Sequence, residues 1–316
     1  MDKLTLSVSH WCSLKDGIQS GSCLPLTSEH HQRIDEAVVL AGKKLRNVDP
    51  QTVQMLCCFA ALRQTTSYEP HAAMVSATSM GAFDSVCKLL VESWQNALPH
   101  QVSPGNIPNT VINSTAGIAA IHYNFDGPNI SLCASELSFY EAQTKAFALK
   151  QRGQAKDIFV STLESWEGIY GRALNSLRHT SAHALFPRQC YATLFMLADQ
   201  PQASAQILAV TSGRLLQREL LPDLLTDFLS GHSVANDEIE YINMWDAGEP
   251  CTALATQFPQ SELAVLPTSA RVLMSGLGAW QFEQLLTRTH PGKLALQLAI
   301  DAEGFYGISI MQKAAS

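Results

Sequence analysis

The stretch GPNISLCASELSFYEAQTKAF, Gly127 to Phe147, opens on a turn dipeptide, continues as a short apolar run and passes at Ser135 into a helical pattern. A strand that runs directly into a helix start brings its junction residue to unpaired backbone N–H groups and a partial positive charge. That is a favoured place for a nucleophile, yet the residue standing there is Glu136.

Reading outward from this junction, β-rich segments alternate with helical ones. HAAMVSAT (71 to 78), NISLCAS (129 to 135), DIFVSTLES (157 to 165), CYATLFML (190 to 197), AQILAVT (205 to 211), IEYINMW (239 to 245) and ELAVLPT (262 to 268) read as buried strands. Helical periodicity covers 30 to 46, 50 to 64, 81 to 97, 108 to 121, 136 to 151, 214 to 230 and 276 to 288. KLALQLAID and FYGISIMQK close the chain as a hairpin turning at Ala302-Glu303-Gly304. This order predicts an α/β protein with sheet layers sandwiched by helices. The polar segment 165–189 separates an N-terminal half, 1–164, from a C-terminal half, 190–316. Strand-helix-strand units in both halves are compatible with a diverged duplication.

Of 316 residues, 46% are hydrophobic and 16% charged, enough apolar content for a sizeable core. The net charge of -7 and the absence of a basic run argue against nucleic acid as a partner. The N-terminus lacks a signal-peptide h-region and no stretch is apolar enough for a membrane span, so a cytoplasmic protein is expected. Eight scattered cysteines without CxxC spacing suit reduced thiols, and the histidines form no HExxH or HxH set, so neither a metal nor another cofactor is expected. SGLGAW, 275 to 280, is neither GxGxxG nor GxxxxGK and gives no nucleotide loop.

SPGNIPNTVINSTAGIAAIHYNFDGPNISLCASE, Ser103 to Glu136, resembles the block of β-ketoacyl-acyl carrier protein synthases that leads into their nucleophile. It has a Ser-Pro turn, a helix start, an Ala-Gly pair, then Gly-Pro and a strand. The resemblance implies a thiolase-like fold, an αβαβα layered sandwich of two related halves, here with a shortened N-terminal region. It also implies where condensing chemistry would sit. The nucleophilic cysteine falls on Glu136. The first histidine motif corresponds to YINMWDAGEP, with Trp245 at the histidine; the second corresponds to PTSARVLMSGLGAW, with Pro267 at the lysine and Val272 at the histidine. An indole cannot do an imidazole's acid-base work. The Gly-rich gating loop is missing from DAEGFYGISIM. Four losses in separate segments argue that condensing activity is gone.

Three readings of Glu136 stand. A carboxylate in the first turn of any helix gains about 0.3 to 1 kcal/mol from the dipole. A buried carboxylate can act as acid or base, making the chain a stand-alone acyl-thioester decarboxylase or hydrolase, with Cys133 as a displaced nucleophile. Strand alternation through Ser135 would put Cys133 and Glu136 on opposite sides, and Cys133 reads as a core residue. The third reading is a degenerate ketosynthase, similar to the chain-length-factor subunits of type II polyketide synthases.

That resemblance implies a dimer through the strand Asn129, Ile130, Ser131, Leu132 and Cys133, in a heterodimer with a cysteine-bearing ketosynthase and with an acyl carrier protein acting through the complex. It makes Met80 and Phe83, in TSMGAFDS, candidates for lining or ending an acyl tunnel and so limiting chain length; as core residues on a helix face they would do nothing of the kind. Aryl polyene systems use a pair of this sort. A homodimeric acyl- or carrier-protein-binding module is a further alternative.

Overall fold

The computed structural model describes residues 4–15, 23–26, 30–33, 48–166, 190–200, 203–248 and 253–315. Their strands are β1 (Leu6–Lys15), β2 (Cys23–Leu26), β3 (His30–Arg33), β4 (Ala73–Ala77), β5 (Asn129–Leu132), β6 (Ile158–Ser165), β7 (Cys190–Leu197), β8 (Ala205–Arg214), β9 (Ile239–Asp246), β10 (Glu262–Leu266), β11 (Leu294–Ile300) and β12 (Phe305–Lys313). The helices are α1 (Pro50–Arg63), α2 (Phe83–Gln95), α3 (Ser114–Tyr123), α4 (Ser138–Gln151), α5 (Leu221–Gly231), α6 (Ala253–Gln257) and α7 (Gly276–Arg288).

Strand order reveals the duplication. Along the sheet it runs β10-β9-β11-β12-β8-β1-β7-β6-β4-β5. Outward from the β1–β8 seam, and leaving aside β2 and β3, which branch off β1, each half uses its first, fifth, fourth, second and third strand. The senses of pairing repeat as well: β4 is parallel to β5 and β6, as β9 is to β10 and β11, while β7 and β12 each run antiparallel to both neighbours. Leu6–Val8 of β1 pair antiparallel with Ile207–Ala205 of β8, so the two sheets are continuous.

Because β7 inserts between β6 and β1, the strand topology passes to its second copy between 197 and 205, later than the 165–189 segment. Most of that segment, from 167 on, lies outside the described residues. Residues 30 to 33, expected to open a helix over 30 to 46, pair as a strand with β2; 34–47 lie outside the described residues. β1 escaped the apolar-run criterion because serines and a histidine alternate with its Leu, Val and Trp.

Three apolar clusters define five layers. Cys58, Phe59 and Leu62 of α1, with Ala116 and Ala119 of α3, cover one face of the first sheet. Leu221, Leu225 and Leu229 of α5, with Leu254 of α6, cover the far face of the second. Between the sheets lie α4 and α7, whose Phe139 and Phe282 meet Phe195 of β7 at centroid distances of 5.3 Å. This is the αβαβα order expected above. Such rings dominate the burial that offsets chain entropy.

The central layer leaves little slack. A methyl on Gly307 would stand 2.4 Å from Cγ of Tyr140, and that ring is anchored by its hydroxyl donating to Oε1 of Gln281 at 2.7 Å. Gly307→Ala is therefore expected to lower stability by about 1–3 kcal/mol through overpacking. Chemical denaturation checks this; unchanged stability would mean that α4 can slide.

Candidate functional site

Strand β5 stops at Leu132, three residues short of the expected end, because Ser135 takes a left-handed φ of 48°. That bend, uncommon for a residue with a Cβ, turns the chain sharply before the Ser135–Leu137 turn and α4. The corresponding junction before α7 bends through Met274, φ 50°. Both helices of the central layer are thus entered through a positive-φ bend, in the second half after the short helical turn Thr268–Leu273 that follows β10.

Glu136 stands just after the first bend with its carboxylate mostly covered, 3.7 Å from Nε of the exposed Arg271. Next to that arginine, Val272 packs partly buried against the central core. Trp245, at the end of β9, is buried and sits in register with Leu266, which directly precedes Pro267. Glu136 thus meets the residue next to Val272, and Trp245 pairs with the residue next to Pro267. An indole, an aliphatic side chain and a proline occupy three of the four positions, and they supply no acid, base or metal ligand.

Cys133 departs from its reading as a buried strand residue. It lies one position beyond β5, is exposed, and its thiol donates to the carbonyl of Ser79 at 2.8 Å. Thiol and carboxylate are thus committed to different partners.

A cavity of about 540 Å³ opens beside the elbow, walled by Ala134, Ser135 and Leu137, by Ser212 to Arg214 of β8, and by Asp301, Phe305 and Tyr306 at the β11–β12 turn. Glu141 enters it from α4 and accepts a 2.5 Å hydrogen bond from Ser212 Oγ. Arg214 lies 5.2 Å from the centre of the Phe305 ring. The turn is clamped: Asp301 Oδ1 accepts the N–H groups of Glu303 and Phe305, and Leu215 N–H donates to the carbonyl of Gly304 at 2.8 Å. A turn pinned this way suits a fixed wall.

Met80 is 37% exposed and Phe83 half-buried, so neither is an ordinary core residue. Strand β5 lies at the end of the sheet. Met74 N–H bonds Pro128 O and Thr78 N–H bonds Leu132 O, so alternate residues, Asn129 and Ser131, turn their backbone groups to the open edge. Exposed apolar side chains include Leu90, Trp94 and Leu98 at the α2 end, Ile107, Val111 and Ile112 in the connection, and Ile121 on α3. Trp94 and Ile121 are 79% and 76% exposed.

Sequence reasoning missed one group. Glu164, at the end of β6, is buried and accepts hydrogen bonds at Oε1 from Ser79 N–H (2.6 Å) and Ser275 Oγ (2.5 Å). Burial pushes its pKa up, while the hydrogen bonds from Ser275 and Ser79 pull it back. Only folding brings these three residues together, so no local motif announces them.

Among the described residues no helix is long and apolar enough to cross a membrane. No protein-family profile matches the sequence, and no curated protein does. Solved structures do match over nearly the whole chain. The ishigamide ketosynthase/chain length factor aligns with a TM-score of 0.70 at 19% identity, covering 99% of this chain and 100% of that one. A type II polyketide synthase acyl carrier protein in complex with its ketosynthase bound to the hexaketide gives 0.67 at 12%, covering 98% and 99%. A β-ketoacyl synthase from Burkholderia phymatum gives 0.67 at 11%, covering 99% and 100%. With its doubled strand topology, five layers and paired positive-φ bends, the chain has the thiolase-like fold that these ketosynthase and chain-length-factor structures share.

Proposed function

We propose that this chain is a non-condensing subunit of the chain-length-factor kind, which pairs with a cysteine-bearing ketosynthase and shapes the acyl tunnel during iterative polyketide elongation. The observation that carries the proposal is the elbow itself. A bend and a helix start stand where the resemblance puts a nucleophile, and the residue held there is Glu136, turned to Arg271. None of Glu136, Trp245, Pro267 and Val272 supplies the thiolate or imidazole that would hold or decarboxylate an acyl group. The open edge of β5 and the exposed apolar side chains of Trp94 and Ile121 favour a partner that continues the sheet. Acyl carrier protein would act through that complex. Within this reading the divergence of the sequence favours an aryl polyene as the product class.

The test is co-expression with a ketosynthase, mass determination of the complex, and product analysis with malonyl-loaded carrier protein. A one-to-one complex is expected, with products that lengthen when Met80 or Phe83 is replaced by Ala. The chain alone is expected to leave acyl thioesters intact, and Glu136→Gln to change nothing. Thioester turnover by the purified chain that disappears in Glu136→Gln would replace this proposal with a stand-alone hydrolase or decarboxylase. A stable homodimer that binds acyl groups and ignores the ketosynthase would replace it with a binding module.

A further inference from the structure

Ser79 is bonded through each of its polar groups to a different part of the chain. Its N–H donates to Glu164 on β6 at 2.6 Å, its Oγ accepts the Ser275 N–H at the start of α7 at 2.9 Å, and its carbonyl accepts the Cys133 thiol at 2.8 Å. Ser275 Oγ closes the circuit on the same Glu164 oxygen at 2.5 Å. The strand end of β6, the start of α7 and the segment leaving β5 therefore meet at the residue before Met80.

The segment that follows is fixed at its other end too. Gly81 turns with φ +60°, its N–H donates to Thr78 Oγ1 at 3.0 Å, and a methyl there would press to 3.2 Å from Cα of Ile112. Ser85 Oγ donates to Asp49 Oδ2 at 2.5 Å, and Asp49 caps α1 through its other oxygen. Between these anchors the Met80 side chain is left partly exposed.

We propose that Glu164 is a positioning residue that fixes where Met80 and Phe83 stand and thereby sets product length, an inference that rests on the partner-subunit reading above. The chemistry explains the choice of a carboxylate. One oxygen takes two donors from segments far apart in sequence, whereas an apolar residue of that size would fill the space without directing either. For stability alone a buried carboxylate is a poor choice. What it supplies is direction.

Two readouts test this. In the purified full chain, Glu164→Leu is expected to speed amide hydrogen exchange at Ser79 and Gly81 by at least about 10-fold, as local opening becomes easier. In the complex with the ketosynthase the same variant is expected to broaden the product-length distribution. Glu164→Gln restores both, because its amide oxygen still accepts from Ser79 and Ser275. Should Glu164→Leu not fold, Ser275→Ala removes one donor without adding bulk and is expected to give a smaller change in both readouts. Unchanged exchange and unchanged lengths in whichever of these variants folds overturn the inference. Failure of Met80→Ala and Phe83→Ala to move product length overturns instead the reading on which it rests, and the exchange result then shows whether the clamp exists.

Discussion

Ser131→Pro is expected to separate this chain from its partner while leaving the fold intact. The backbone of Ser131 faces away from β4, so proline removes a donor from the open edge and no bond within the sheet. A partner strand pairing there would keep an unmatched carbonyl and meet the pyrrolidine ring. At about 1–3 kcal/mol for the unmatched group, association should weaken on the order of 10- to 100-fold. Ser131→Ala keeps the N–H and should associate normally. Sedimentation of the mixed subunits distinguishes these cases, with thermal denaturation of the isolated chain as the control for folding. A Ser131→Pro chain that still forms a full-strength complex would mean that the partner sits elsewhere.

The second large effect is expected at Asp246. Its buried carboxylate receives the guanidinium of Arg218, and its Oδ1 also accepts the Gly248 N–H at 2.8 Å. The other arm of Arg218 donates to the carbonyl of Asp301 at 2.5 Å. One ion pair thus joins the segment before α5, the end of β9 beside Trp245 and the turn that walls the cavity. Removing one partner of a buried pair costs about 3–5 kcal/mol, and partial exposure of Arg218 places Asp246→Ala near the low end. Asp246→Asn retains a Gly248 acceptor and should fall between. Urea denaturation gives the values, and a loss below about 1 kcal/mol would class the pair with surface bridges.

These residues also show what the sequence discloses. β7, buried at every position, is a continuous apolar run, and its bounds at Cys190–Leu197 were legible, as were those of β12 at Phe305–Lys313, whose buried middle follows the hairpin turn. The identity of α7 was equally plain, from Gly276 to Arg288. The early end of β5 was not, because it depends on a left-handed Ser135 that nothing in the residue type requires. The positions of Glu136, Trp245, Pro267 and Val272 came from an ordered resemblance, and the fold adds that Glu136 faces Arg271 and that Trp245 pairs with Leu266. Ser79, Glu164 and Ser275 were invisible for the opposite reason: their nearest separation in sequence is 85 residues.

The two ends of the sheet differ in a way that bears on how many copies can assemble. At β5 the edge reads Asn-Ile-Ser-Leu, without a charge. At β10 it begins with Glu262, exposed and drawn to Arg288 at 3.4 Å, and Pro267 follows its last residue. Charge and proline discourage an incoming strand. Strand addition at the ends of the β10-to-β5 path therefore favours a pair over a filament.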